Sequence, residues 1–223
     1  MKKITASFRS SRQHAIVGIS SLLACYILVQ TRHDIAPLHS WNRAFADVSL
    51  FMLALVLILG PLSHFHKPLQ KQIVWRRPIG IWSAIHAGLH TIIILDGWVE
   101  WKFERLFFIF TPPGQPWILH PGFALANTIG ILALGYYLIL TASSNDWSVK
   151  LLGVKSWKYL QQKATVLYTL IILHTLYFLF LHEPENPNWF KVPFVILLVL
   201  IFVIRVSAFL KIAKGKSLKK VDE

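Results

Sequence analysis

Two histidines lie in strongly apolar stretches of this 223-residue chain, where an ionisable side chain is costly. His90 belongs to the apolar run that begins at Pro78, and His174 belongs to the run that follows Lys163. An ionisable residue inside a membrane-spanning helix is by default a candidate functional residue. Neutral imidazole is a good iron ligand, and two imidazoles on facing helices suit the two axial positions of one haem iron. The pair therefore predicts a haem b site.

The spacing of the two histidines predicts that they reach the same depth. A helix rises about 1.5 Å per residue, so His90, 12 residues after Pro78, lies about 18 Å along its helix. His174 follows Lys163 by 11 residues, which corresponds to about 16 Å. Both helices start on the same side, so we expect both imidazoles in the outer half of the membrane.

The composition indicates that lipid is the main solvent. The chain is 55% hydrophobic and 15% charged, with a mean hydropathy of +0.53, whereas a soluble domain is about 25% charged. The net charge of +13 could suggest nucleic acid, but the basic residues lie in short connections between apolar runs, which is the pattern of membrane orientation. We therefore expect membrane lipid and no nucleic acid as a partner. The single cysteine, Cys25, excludes an intramolecular disulfide.

Six apolar stretches are each near the ~20 residues that a helix needs to cross a bilayer. They predict an all-α, six-helix transmembrane bundle that forms a single domain over residues 1–223. Of the 23 Lys and Arg residues, 17 lie before the first stretch, in the second and fourth connections or after the last stretch. The positive-inside rule then places both termini in the cytoplasm. The predicted helices are 15–31, 44–62, 78–95, 122–142, 164–181 and 192–210.

Further residues near the histidines are candidates for binding. His86 is one turn below His90 on the same face, where it can bond a haem propionate, act as an alternative ligand or simply pack. Arg77, next to Arg76, is either part of the orientation signal or half of a guanidinium pair that binds a propionate or a phosphate. The external loop 96–121 is rich in Trp and Phe, which favours an interfacial aromatic belt over a lid or a docking surface.

Several strings resemble the ferric reductase–like transmembrane family. The string WRRPIGIW at 75–82, followed by Leu89 and His90, resembles the third helix of that family. TASS at 141–144, WKYL at 157–160 and Leu173-His174 resemble its fourth-to-fifth helix region. Within the family, the chain is most similar to the haem-binding membrane subunit of the periplasmic methionine sulfoxide reductase system. The resemblance covers most of residues 59–181.

The resemblance implies six helices and b-type haem held by histidines on the third and fifth. Two-haem members carry a second, inner pair of ligands 13 or 14 residues before the outer pair. His90 and His174 match the outer pair, and the inner positions fall at Arg76 and Gln161. A protonated guanidinium offers no lone pair and an amide is a poor iron ligand. Because Arg76 and Gln161 replace the inner ligands of the family pattern, the sequence predicts one haem, on the outer side.

A haem with two histidine ligands has no open site, so it passes electrons without binding substrate directly. The sequence carries no Gly-rich dinucleotide fingerprint, so we expect a separate donor: a quinol, or a flavin reductase at the cytoplasmic face. The acceptor is then an external protein, a metal ion or oxygen. The resemblance favours a periplasmic oxidoreductase subunit and implies the bacterial inner membrane. Two alternatives stay open: a transition-metal carrier or sensor that uses His86, His90 and His174, and a non-catalytic assembly factor with structural histidines.

Overall fold

The computed structural model describes residues 2–109, 116–182, 184–185 and 188–221, with side chains from 11 to 214. The described chain folds into α-helices joined by short 3₁₀ segments, with one π-helical segment and a small hairpin. The 3₁₀ segments are Lys67–Trp75 and Phe103–Phe107, and the π-helical segment Tyr177–Leu181 continues the sixth helix. The antiparallel strands β1 (Phe108–Ile109) and β2 (Ile118–Leu119) pair Phe108 with Leu119. The helices are α1 (Lys2–Gln30), α2 (Pro37–Ser63), α3 (Arg76–Gly97), α4 (Pro121–Ala142), α5 (Asp146–Gln162), α6 (Ala164–Leu176) and α7 (Lys191–Val221).

Six helical segments of the described chain are long and apolar enough to cross a membrane. They confirm the prediction of an all-α, six-helix membrane protein. Large apolar side chains cover the outside of the bundle, and Phe202 and Phe209 on α7 are each more than two-thirds exposed, as lipid-facing residues are. The six segments are 11–30, 37–63, 67–97, 121–142, 146–181 and 191–214.

The bundle is organised around α2, which packs against α1, α3, α6 and α7. Helix α4 packs against α3 and α6. Because α3 and α6 each contact both α2 and α4, they face each other across a four-helix arrangement, with α1 and α7 outside it. One end carries 31–36, 98–109, 116–120, 182, 184–185 and 188–190 and is called the acidic end. The end with 64–75 and 143–163 is called the basic end.

A buried hydroxyl cluster joins three helices near the middle of the bundle. Ser49 donates to the Ser83 carbonyl at 2.9 Å, and Ser83 donates to the Ser49 carbonyl at 2.7 Å. Because each serine has thus used its only proton, the Tyr137 hydroxyl must be the donor to the Ser83 oxygen, 2.8 Å away. The cluster pairs polar groups of α2, α3 and α4 that would otherwise be costly to bury.

Helix α2 begins at Pro37, earlier than the predicted residue 44, because its polar first turns face protein. Ser40 is 2% exposed and donates to the Arg32 carbonyl at 3.0 Å. Asp47 forms an ion pair with Arg32, whose side chain is 5% exposed and also lies over the ring of Trp189. These polar residues interrupt the apolar pattern in the sequence, but inside the fold each has a hydrogen-bond or ion-pair partner.

The predicted connection 143–163 is instead mostly helical. Helix α5 contains Gly153 at a φ of +74°, a conformation that glycine adopts readily and that breaks the helix into two pieces. Trp147 and Leu151 are exposed among the lysines of this segment. This combination of apolar and basic residues is typical of a helix that lies in the membrane interface.

The two ion pairs of the bundle predict different costs of mutation. Asp47→Asn leaves the buried Arg32 charge uncompensated and is expected to lower the free energy of unfolding by about 3–5 kcal/mol. The matched change Asp146→Asn breaks the exposed pair with Arg77 and is expected to cost about 0–1 kcal/mol. Thermal unfolding of the purified variants in detergent measures both. Equal effects would contradict a structural role of the buried pair.

Candidate functional site

His90 is oriented by a backbone carbonyl of α2. Its Nδ1 lies 3.2 Å from the carbonyl oxygen of Asn42, and the Asn42 amide donates back to the His90 carbonyl at 3.1 Å. Because a carbonyl oxygen only accepts, Nδ1 must carry the proton. The lone pair of the neutral ring is therefore on Nε2, on the opposite side of the imidazole.

His174 is held in the same way by α4. Its Nδ1 lies 2.8 Å from the carbonyl oxygen of Ala126, so this ring also carries its proton on Nδ1. The ring packs against Phe178, with 4.9 Å between centroids, and lies flat over Gly130. A Cβ at residue 130 would come within 2.7 Å of Nδ1, so a glycine is needed there for the close approach. The π-helical segment begins three residues after His174, and such segments are frequent at functional sites.

The two histidines lie at matched depth. Asn42 and Ala126 each follow the first residue of their helix by five residues, about 7.5 Å from the acidic end. His90 and His174 each precede the end of their helical segment by seven residues.

Both Nε2 atoms are available to a ligand. Within the described side chains neither atom has a hydrogen-bond partner, and both keep some accessible surface. Each ring is half-buried in an apolar bundle, with its free lone pair on the nitrogen away from the carbonyl that orients it. Two neutral, oriented imidazoles are the donor set that a low-spin haem iron takes, so the residues present fit that group.

His86 packs against α1 and lies apart from the carbonyl that orients His90, and a role in cofactor binding stays a prediction. Its ring is fully buried against α1, where Nε2 lies 2.8 Å from the Ser21 hydroxyl and Nδ1 lies 3.9 Å from the Cys25 sulfur. It also stacks on Phe45, with 5.6 Å between centroids. Both ring nitrogens thus contact side chains of α1, as expected if His86 is a packed polar residue.

The three-histidine metal site is therefore not assembled. His86 faces α1, away from the pair that His90 and His174 form. No group of three or more His, Cys, Asp or Glu side chains with metal-ligand spacing occurs among the residues that the structure describes. The transition-metal alternative loses the arrangement that it needs.

Arg77 lies at the exposed start of α3, where its guanidinium pairs with Asp146 at 2.9 Å. His90 is 13 residues further along the same helix, about 20 Å away. Binding of a propionate or a phosphate by Arg77 stays a prediction.

The two inner positions, Arg76 and Gln161, line one cavity of about 1490 Å³ at the basic end. The Arg76 Nε donates to the Val56 carbonyl at 3.0 Å. The Gln161 Nε2 donates to the Leu140 carbonyl at 3.2 Å and to the Ser143 hydroxyl at 3.0 Å. Sequence reasoning identified both residues as poor iron ligands but did not predict the cavity. The only signal for the cavity in the sequence was that neither inner position carries an iron ligand.

At the acidic end, the described part of loop 96–121 folds onto α4. The Asn127 side chain, next to Ala126, donates to the Leu106 carbonyl at 2.7 Å. Arg105 pairs with Glu100 at 2.7 Å, and its hydrogen bond holds the pKa of the Glu100 carboxyl below its ordinary value. The loop is thus anchored beside the helix turn that orients His174. Whether it acts as a belt, a lid or a docking surface stays a prediction.

The fold and the site define a multi-pass, all-α membrane protein with two histidines at matched depth in its bundle. The model of the family described as ferric reductase like transmembrane component matches residues 44–172, more than half of the chain. The chain belongs to this family, which confirms the resemblance at family level. The matched range includes His90, Arg76 and Gln161 and ends two residues before His174. Among curated proteins, no match is found.

The packing of His86 predicts that it stabilises the fold without holding a cofactor. His86→Ala opens a cavity and removes one of the two hydrogen-bond partners of the Ser21 hydroxyl, which keeps its bond to the Gly18 carbonyl. We therefore expect the free energy of unfolding to fall by about 1–3 kcal/mol. Bound haem per chain should stay as in the unmutated protein. Thermal unfolding and the haem-to-protein ratio measure the two effects. Loss of haem without loss of stability would show that His86 is a ligand.

Proposed function

We propose that this protein carries electrons across a bacterial inner membrane through one b-type haem held by His90 and His174. Membership of the ferric reductase–like family indicates a membrane electron-transfer function. One observation carries the finer assignment. Each of the two imidazoles donates its Nδ1–H to a backbone carbonyl and keeps Nε2 free, at matched depth on facing helices.

The chain's own residues set the two ligands before any cofactor binds. The Asn42 and Ala126 carbonyls fix the tautomer and limit rotation of the two rings, and such bonds also raise the basicity of the ligating nitrogen. Phe178 restricts His174 from the side. When bound, the haem supplies one-electron chemistry at its iron. Because both axial positions are filled by protein, the site favours electron transfer over substrate binding.

The basic end supports one haem and not two. Arg76 and Gln161 occupy the inner ligand positions of the family pattern, and neither side chain can coordinate iron. Both side chains are also held in place by hydrogen bonds to backbone carbonyls of neighbouring helices. Rearrangement of either residue toward a metal would break these bonds and still provide no suitable lone pair.

The charge distribution supports an orientation and a set of partners. The positive-inside rule assigns the basic end and both termini to the cytoplasm. The electron donor is then a membrane quinol or a flavin reductase docked at the basic face. The acceptor is a periplasmic oxidoreductase subunit, such as that of the methionine sulfoxide reductase system, at the acidic end. Trp101 and Phe103 are both more than half exposed there and offer it an apolar contact.

The haem assignment predicts a spectrum and its loss on mutation. The purified protein should show a Soret band, with sharp α and β bands after dithionite reduction, at one haem per chain. His90→Ala and His174→Ala should each abolish the bands, because each removes an axial ligand. Gln161→Ala should keep them. Two haems per chain, or bands that survive either histidine change, would contradict the assignment.

The contact of His174 with Gly130 provides a matched pair of glycine variants on α4. In Gly130→Ala the new Cβ would meet the His174 ring at 2.7 Å, so the ring must leave its position under the Ala126 carbonyl. Loss of the hydrogen bond between His174 Nδ1 and the Ala126 carbonyl is expected to weaken haem binding about 10–100-fold. Gly135→Ala is the control, since no atom lies within 4 Å of a Cβ there. Haem titration of the apo-proteins compares them, and equal affinities would exclude the proposed role of His174.

A further inference from the structure

The cavity at the basic end runs from the surface to the centre of the bundle. At its mouth lies the exposed ion pair of Arg77 and Asp146. At its inner end lie Tyr137 and Leu167, which are 4% and 1% exposed. With about 1490 Å³ it exceeds the ~300–1,000 Å³ of ordinary small-molecule sites. It can therefore hold a flat ring together with part of a long apolar chain.

One wall of the cavity offers hydrogen-bond donors. Arg76 uses Nε for the Val56 carbonyl, and its two terminal nitrogens have no partner among the described side chains and keep accessible surface. No described carboxylate pairs with this guanidinium.

The opposite wall offers an acceptor. The Gln161 amide nitrogen is used by the Leu140 carbonyl and the Ser143 hydroxyl, which also fixes which amide atom is nitrogen. The Gln161 Oε1 is left without a partner among the described residues. A ligand that satisfies both walls must accept on one side and donate on the other.

We propose that this cavity binds the head group of an isoprenoid quinol. One quinol oxygen accepts from Arg76, and the hydroxyl on the other side of the ring donates to the Gln161 Oε1. Leu53, Val56 and Leu140 contact the apolar part. An anionic lipid phosphate would suit Arg76, but it only accepts, so it would leave the Gln161 oxygen unpaired and facing a negative charge. The donor–acceptor pair therefore favours the quinol.

The cavity also approaches the histidine pair. Tyr137 lines its inner end and donates to Ser83, which precedes His90 by seven residues, about 10 Å along α3. The inference deepens the proposed function, because it selects the quinol from the two classes of donor and assigns its binding site. Quinol binding itself, however, does not depend on haem.

Titration of the purified full-length protein with a short-chain quinone and its reduced form tests the site, by isothermal titration calorimetry in detergent. Arg76→Gln and Gln161→Leu should each weaken binding of the reduced form at least about tenfold, the effect of one lost polar partner. Gly80→Leu fills the cavity and should abolish binding. Its backbone tolerates a side chain, since a Cβ there meets only Val56, at 3.8 Å. Lys155→Gln, outside the cavity, is the control.

Haem content separates this inference from the proposed function. Unchanged haem per chain in the cavity variants shows that they are folded, and the doubly substituted His90→Ala, His174→Ala protein should still bind the quinone. Binding that is unaffected by all three cavity variants would overturn the inference. Displacement of the quinone by phosphatidylmethanol, an anionic lipid whose head group only accepts, would assign the cavity to a lipid instead if Arg76→Gln weakens lipid binding and Gln161→Leu leaves it unchanged.

Discussion

The donation of two Nδ1–H groups to backbone carbonyls is the constraint on which the rest of the site depends. An imidazole in an apolar bundle needs a partner for its proton, and the second turns of α2 and α4 provide one each. That bond decides which nitrogen keeps the lone pair and where it points. The His174 ring is held further by its close approach to Gly130, and the π-helical segment begins one turn after it.

The bundle divides into two halves with different chemistry. The half toward the acidic end holds the two histidines, and the described part of loop 96–121 is anchored beside it on α4. The half toward the basic end holds a cavity where two-haem relatives are expected to carry further ligands. The hydroxyl cluster of Ser49, Ser83 and Tyr137 lies between them and fixes the helices that both halves share.

The six spans could be predicted from the sequence because hydropathy and length are sufficient to identify a membrane helix. The matched depth of His90 and His174 could be predicted from their positions along two helices that start on one side. The direction of His86 could not be predicted. It differs from His90 by little more than one helical turn, and only the position of α1 decides that one ring packs on Ser21 while the other faces Asn42. The early start of α2 was missed for a similar reason, since Ser40 and Asp47 are satisfied by tertiary contacts.

The central claim is that one iron is bound by the Nε2 atoms of both histidines. Electron paramagnetic resonance of the oxidised, purified protein, integrated against chain concentration, tests it most directly. The account predicts a low-spin ferric signal typical of two imidazole ligands, equal to one haem per chain. A high-spin signal, or the absence of any haem signal after supplementation with haem, would contradict it.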